Sequence, residues 1–300
     1  MDPLSQMLSL CDVRSAAMSS LTAGGKWALR FPSVTGIKFN AVLKGDCWIR
    51  FDGSEPHRLE SGDTYLLTEA PSYVLACEPD LTAIDAVPLF ARSPDHIVHY
   101  GGDDAVLIGG GFVMDNVLPM LVDALSPFVH IPAREPGAIS LRKVLGDLDS
   151  ELRDSRPGKS LMVKHLADML FIHVLRAYAA SANGKTTGWF RALGNPRIGK
   201  ALRAMHADIA RDWTVEALAD IAGMSRANFA AHFKKLVGLP PRSYLTHWRM
   251  ASARHALRET ETSVARLAES LGYTSESAFA HAFRRTYGYS PGACRRRDAR

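Results

Sequence analysis

With 300 residues, 47% of them hydrophobic and 22% charged, the chain has the composition of a globular protein of about two domains. The opening MDPLSQMLSLCDVRS lacks the basic flank and apolar stretch of a secretory leader, and no run of about 18 apolar residues follows, which argues against a membrane span and predicts a cytoplasmic protein. The net charge of +5 is unevenly placed: residues 1–194 carry 18 Lys and Arg against 22 Asp and Glu, net −4, while 195–300 carry 18 against 9, net +9, so the last third is the candidate for binding a polyanion.

The first 130 residues read as short β-rich segments such as IKFNAVLKGDCWIRF, DTYLLTE and SYVLACEP, punctuated by Gly-Asp, Asp-Gly and Glu-Pro. That pattern predicts a sandwich or small barrel, with Trp27, Phe39, Trp48, Phe51, Tyr65 and Tyr73 as core. A barrel interior can also hold a small ligand. The glycine-rich GGDDAVLIGGG, without a following lysine and Ser/Thr, reads as turns. From Ser140 the apolar period changes to i, i+3, i+4, i+7, which predicts helices at 140–155 and 159–180, broken at Arg156-Pro157-Gly158. Their apolar faces need partners, either the core of the β-rich region or a second subunit. SANGKTTG then reads as a linker, and the expected organisation is 1–139, 140–194 and 195–300.

Four scattered cysteines make neither a zinc knuckle nor a disulfide framework. Cys11, Cys47 and Cys77 fall in the first region and are candidate oxidant sensors if a thiol pKa is lowered; the alternative is burial as small hydrophobes. Cys294 lies in an arginine-rich tail. His57 stands alone, His96 and His99 lack a Cys or Glu partner nearby, and no paired carboxylates or nucleophile motif occurs, so no catalytic residue, metal or cofactor is assigned.

The C-terminal third contains an element twice. In TVEALADIAGMSRANFAAHFKKLVG, Thr214 can cap a short helix ended by Gly223, and Ser225 is placed to cap a second helix whose Phe229, Phe233 and Leu236 define a buried face. In SVARLAESLGYTSESAFAHAFRRTYG the residues Val264, Leu267, Ala268 and Gly272 repeat Val215, Leu218, Ala219 and Gly223 at an offset of 49. Phe279, Phe283, Gly288 and Pro291 repeat Phe229, Phe233, Gly238 and Pro241 at an offset of 50, so the second turn is one residue longer. Helix, glycine turn and capped helix make a helix-turn-helix, and the stretch between the copies, with Tyr244, Leu245, Trp248, Ala251, His255 and Leu257, predicts a long connecting helix. Two recognition helices held about one DNA turn apart, roughly 34 Å, can enter successive major grooves. The outward residues of the first are Arg226, Ala227, Asn228, Ala230, Ala231, Lys234 and Lys235, and of the second Ser275, Glu276, Ser277, His281, Arg284 and Arg285. The basic pairs suit phosphates, the remainder base edges; Arg295, Arg296, Arg297 and Arg300 add phosphate contacts. A solvated helix face is the plainer reading of the basic pairs, and the repeat weighs against it.

WTVEALADIAGMSRANFAAHFKKLVGLPPRSYLTHWRMASARHAL followed by SVARLAESLGYTSESAFAHAFRRTYGYSPGACRRR closely resembles the DNA-binding domain of the AraC/XylS family of bacterial transcription regulators, over Pro196 to Arg297. His57 to Pro79 resembles a stretch of the cupin-type sensor domain of one subgroup, without the H-x-H, glutamate and histidine set of metal-binding cupins. The resemblance implies an α+β two-domain fold: an N-terminal cupin-like β-barrel or sandwich with linker helices, then an all-α domain with two helix-turn-helix motifs. It also implies a regulator, taken here as an activator, with double-stranded promoter DNA, RNA polymerase, a second copy of the chain and a small-molecule effector or oxidant as partners. The alanine-rich first recognition helix departs from the family, so base preferences do not carry over. The rivals are a cupin-like metal-dependent enzyme whose C-terminal part docks on nucleic acid, and a helical adaptor for acidic proteins.

Overall fold

The computed structural model describes residues 2–11, 13–93, 96–114, 125–154, 156–180 and 188–298, which form two compact units. Of the described residues, one unit is strand-rich and contains those of 13–114 and 125–180; the other is helical and contains those of 2–11 and 188–298.

In the strand-rich unit β1 (Val13–Ala23), β3 (Ile37–Lys44), β6 (Thr64–Thr68), β9 (Ile97–Tyr100), β10 (Ala105–Met114) and β11 (Phe128–Ile131) form a six-stranded sheet in the order β11-β6-β3-β10-β1-β9. A second sheet, ordered β5-β4-β7-β2-β8, contains β2 (Ala28–Phe31), β4 (Cys47–Phe51), β5 (His57–Leu59), β7 (Tyr73–Ala76) and β8 (Ile84–Asp85), with the short helix α2 (Val87–Ala91) after it. The sheets pack as a sandwich. The two-residue period of β3 shows how: Val42 joins Leu21, Leu29, Ile49, Leu75 and Leu107 between the sheets, whereas Phe39 points the other way onto Phe112, 5.4 Å between ring centroids.

That outer face is covered by the two predicted helices, α3 (Ala138–Arg153) and α4 (Lys159–Ala180); Phe112 meets Phe171 of α4 at 4.4 Å. The helices thus complete the core of their own unit through Leu141, Leu145, Leu148, Leu170 and Val174, and leave Ile139, Leu161, Met162 and Met169 exposed. A buried carboxylate ties the sheet edge together. Asp63 accepts hydrogen bonds from His130 Nε2 at 2.8 Å and from the backbone N–H of Glu60 and Ala133. Burial works to raise its pKa, but His130 and the backbone donors outweigh it and hold the carboxyl below the usual range.

The glycine run does not follow the sequence expectation. Gly101 (φ 73°) turns the chain against Gly24, but Gly109, Gly110 and Gly111 lie inside β10. A Cβ on Gly109 would sit 2.3 Å from Asn40 Oδ1 and one on Gly110 2.3 Å from Met18 Sδ, so neighbouring side chains fill the space the glycines leave.

The helical unit contains α5 (Gly188–Gly194), α6 (Ile198–Ala207), α7 (Val215–Ala222), α8 (Arg226–Val237), α9 (Pro241–Glu259), α10 (Val264–Ser270), α11 (Glu276–Tyr287) and α12 (Pro291–Asp298). It also contains α1 (Pro3–Cys11), which packs on α6 and α9. A chain of buried polar groups runs through it: Trp189 Nε1–H donates to Tyr244 Oη at 2.8 Å, Tyr244 faces His206 Nε2 at 2.6 Å, and His206 Nδ1 meets Gln6 Oε1 at 2.9 Å. Every link is satisfied if His206 is neutral with its proton on Nδ1. Burial enforces that state by pushing the His206 pKa down to about 4. Cys294, expected in an arginine-rich tail, is instead buried in the core of the second repeat with Leu257, Leu267, Phe279 and Phe283. Among the described residues no helix is long and apolar enough to cross a membrane.

Candidate DNA-binding surface

The two repeats fold alike because the same backbone device ends the first helix of each. After α7 the Gly223 N–H reaches Asp220 O and the Met224 N–H reaches Ala219 O, each at 3.0 Å; after α10 the Gly272 N–H reaches Glu269 O at 2.9 Å and the Tyr273 N–H reaches Ala268 O at 3.0 Å. This paired closure needs a left-handed residue, supplied by Gly223 at φ 62° and Gly272 at φ 75°. Thr214 and Ser263 cap α7 and α10 by accepting from Ala217 and Arg266 N–H.

The recognition helices start differently. Ser225 makes no side-chain cap bond on α8, contrary to the sequence expectation, while Ser275, one residue further from its glycine, accepts from the Ala278 N–H at 3.1 Å. The extra Thr274 changes the approach: Ser275 has φ −150° where Ser225 has −67°.

Phe229, Phe233, Phe279 and Phe283 are wholly buried. They orient everything else. On α8 this leaves Arg226, Ala227, Asn228, Ala231, Lys234 and Lys235 exposed, with Ala230 half-buried; on α11 Ser275, Glu276, Ser277, His281, Arg284 and Arg285 are exposed. The thirteen positions thus form two outward stripes, of which five pairs (226/276, 227/277, 231/281, 234/284 and 235/285) correspond at an offset of 50, and both end in a basic pair. They differ at the start: Arg226 is paired with Glu216 Oε1 at 2.8 Å, whereas its counterpart is the acidic Glu276. Arg296 is exposed; the side chain of Arg297 and all of Arg300 lie outside the described residues.

One helix carries both modules. The first half of α9 packs on the first repeat through Tyr244, whose ring meets Phe233 at 5.7 Å, and the second half enters the other repeat's core through Met250, Ala253 and Leu257. Its His255 is only half-buried, so the actual inward set includes Met250 and Ala253 in its place. Arg249 locks the junction: Nε donates to Ile209 O at 2.8 Å and Nη2 to Ala210 O at 3.1 Å and Arg211 O at 2.9 Å, while the guanidinium lies 5.7 Å from the Tyr273 ring.

Sequence reasoning passed over a concavity of about 590 Å³ between α9 and α11, lined by Arg242, Ser243, Thr246, His247, Arg285 and Thr286. His247 Nδ1 bonds to Ser243 O at 2.7 Å. Three basic side chains and, with Tyr287 also in the lining, four hydroxyls suit a phosphate backbone. The run PRSYLTH held the signal, but reading it needed the position of Arg285 beside it.

Of the three candidate sensor thiols, Cys47 and Cys77 belong to the strand-rich unit, where Cys77 packs against the core cluster that contains Cys47, and Cys11 belongs to the helical unit. Cys47 is buried in the sandwich core, where burial, then Asp46 and Asp63, push its pKa up to about 12, the reverse of what a reactive thiolate requires. Cys77 is half-buried, with Sγ accepting from the Trp27 N–H at 3.3 Å, and Cys11 is buried in the helical unit. Among the described residues no three His, Cys, Asp or Glu side chains are grouped to hold a metal.

Comparison with known proteins matches residues 2–180 to a cupin family and 218–297 to a helix-turn-helix domain family. A Streptomyces lividans protein described as an AraC-like transcription regulator is 43% identical over 299 residues, covering 99% of this chain and 98% of its own. The Escherichia coli RCS-specific transcriptional activator RclR is 26% identical over 301 residues, with 99% of this chain and 98% of that one covered. Among solved structures, the DNA-binding domain of AdpA in complex with a target DNA is 31% identical over 34% of this chain and 91% of its own, with a TM-score of 0.33.

Proposed function

The chain belongs to the AraC family of transcription regulators, and on that footing we propose how it reads DNA and what governs it. It is not an enzyme by kinship, since its relatives are named transcription regulators. α8 and α11 enter successive major grooves on one face of promoter DNA. Lys234, Lys235, Arg284 and Arg285, with Arg242 and His247 beside them, hold phosphates; Asn228, Glu276, Ser277 and His281 meet base edges; and Ala227 and Ala231 meet thymine methyls. Arg226 exchanges Glu216 for a phosphate. The observation that carries this reading is the equivalence of the two stripes, each set by the same glycine closure and the same pair of buried phenylalanines.

The strand-rich unit senses a small molecule, and the protein acts as an activator with RNA polymerase. Support for sensing is the sandwich itself, which carries a cavity lined from both of its sheets. An oxidant signal would have to act through Cys77 or Cys11, since Cys47 is held as a neutral thiol. The exposed stripe of Leu161, Met162 and Met169 on α4, with Ile139 on α3, supports pairing of two copies.

Selection of the full-length protein on random duplex DNA, with footprinting of the winners across a salt series, tests the DNA reading. Two protected major-groove segments about one turn apart, with affinity falling as salt rises, are expected. A single protected segment would refute the bipartite reader.

A further inference from the structure

The strand-rich unit holds a cavity of about 320 Å³ at one end of the sandwich, within the range of small-molecule sites. Its wall is mainly apolar, with Met18, Phe31, Val87 and Phe90 contributing carbon and Gly111 leaving one strand bare. Lys38 also lines it. Strand period places Lys38 on the same face of β3 as Asn40 and Val42, and Val42 is core between the sheets. A lysine therefore occupies a position that the sandwich would fill with an aliphatic residue on grounds of packing alone.

Nothing described neutralises that lysine. Its Nζ lies 5.3 Å from the ring centroid of Phe31 and 5.9 Å from that of Tyr73, and among the described residues no carboxylate pairs with it. Burial pushes its pKa below the usual lysine range, and no acidic neighbour opposes the shift. Ring faces stabilise an ammonium, but they do not replace a counter-ion. Nearby in the sandwich, the Tyr73 hydroxyl and Asn40 Nδ2 are buried without a hydrogen-bond partner among the described residues. Among the lining residues, His96 holds a left-handed backbone at φ 54°, and Val87 is 49% exposed, which gives the opening an apolar edge.

These features specify a guest. A neutral hydrocarbon would leave the ammonium unpaired, and a phosphate would bring more charge than one lysine offsets into an apolar wall. We propose that the cavity binds an organic monocarboxylate with an apolar or aromatic body, its carboxylate paired with Lys38 and its body lying against Phe31, Phe90 and Val87. The proposal deepens the sensing reading and rests on it.

Calorimetric titration of the full-length protein tests it, with octanoate and phenylacetate as probes and octanol and phenylethanol as their uncharged counterparts. At least one carboxylate should bind saturably and about tenfold or more tighter than its alcohol, the ratio expected of one charge-assisted pair. Lys38→Met should bring that ratio to about one while keeping alcohol binding, and should not lower the thermal midpoint, because it removes a half-buried charge that no carboxylate pairs with among the described residues. Val87→Trp, an exposed position at the rim, should weaken both kinds of probe. The proposal is overturned if acid and alcohol bind alike, if the ratio survives Lys38→Met, if Val87→Trp leaves binding intact, or if no probe binds. DNA affinity measured with and without the bound acid separates the two claims. Binding through Lys38 with unchanged DNA affinity leaves the site and removes the sensing reading; absence of binding removes the site and leaves the reading to other effectors.

Discussion

The two helix-turn-helix glycines offer a matched pair of perturbations, because Gly223 and Gly272 share a motif and a backbone region but not their surroundings. An alanine at either position enters the left-handed region, at a cost of about 1–2 kcal/mol, offset by about 0.4–1 kcal/mol from the reduced freedom of the unfolded chain. Around Gly223 an added Cβ meets nothing within 4 Å, so Gly223→Ala should cost only about 1 kcal/mol. At Gly272 the same Cβ would lie 1.9 Å from Ala210 O and 2.8 Å from Arg249 Nη2. The carbonyl has to move, and it is one of three that hold Arg249, so Gly272→Ala also sacrifices a charge-assisted hydrogen bond of about 1.5–3 kcal/mol. The expected total is about 3 kcal/mol, and the difference of about 2 kcal/mol corresponds to roughly thirtyfold in a local opening equilibrium. Native-state hydrogen exchange on the full-length protein reads it directly, without requiring two-state unfolding of a two-unit chain. Amides of α9, α10 and α11 should lose protection in Gly272→Ala and keep it in Gly223→Ala, whose effect stays within α7 and α8. Equal losses in the two variants would refute the argument that the Ala210 carbonyl and Arg249 fix the junction between the modules.

Three further outcomes are expected. Arg242→Ala and Lys234→Ala should each weaken DNA binding uniformly across sequences and reduce the salt slope by about one, whereas Glu276→Ala should relax preference at one base position; binding titrations over a salt series distinguish the two kinds of effect. His206 is neutral in the folded chain with its pKa near 4, against about 6.5 when unfolded, so the unfolded state takes up the proton first as the solution is acidified. Its stabilising contribution is therefore full above pH 6.5 and lost between 6.5 and 4, up to about 3 kcal/mol, and denaturation of His206→Gln should show a shallower acid limb than the parent over that window. The pairing of two copies proposed for α4 predicts that the parent sediments as a dimer and that Leu161→Glu with Met169→Glu sediments as a monomer at unchanged helix content; a double variant that sediments like the parent would refute pairing through α4.

The helical unit was legible in the sequence because its determinants are local. Phenylalanines four apart, a glycine where a helix must close left-handed and a hydroxyl at the next cap each act within one or two turns, and the chain repeats the arrangement. Even there, the sequence did not distinguish Ser225 from Ser275, because whether a serine caps depends on how the chain arrives, and the extra Thr274 alters that arrival. Contacts across long separations were invisible. The packing of α1 on helices some two hundred residues away is carried by Gln6 meeting His206, and neither residue stands out from its neighbours in the primary structure. The same holds for Arg249, one of many arginines until its three carbonyl partners are known.

The strand-rich half shows a different kind of illegibility. Its core positions follow alternation wherever packing alone decides, as Val42, Leu21 and Leu107 do between the sheets. Two features break the rule: a glycine triplet inside β10, which the sequence presents as turns, and a lysine on the inward face of β3. The glycines at 109 and 110 make room for Asn40 and Met18, so their departure has a packing cause; Gly111 and Lys38 border the cavity. A strand read only for its hydrophobic period scores Lys38 as a defect. Once the opposite sheet brings Phe31 and Tyr73 over it, the same lysine becomes a charge held ready beside a cavity. Local rules fail where a residue serves something other than folding, which makes an inward lysine beside a cavity the place to look for a ligand.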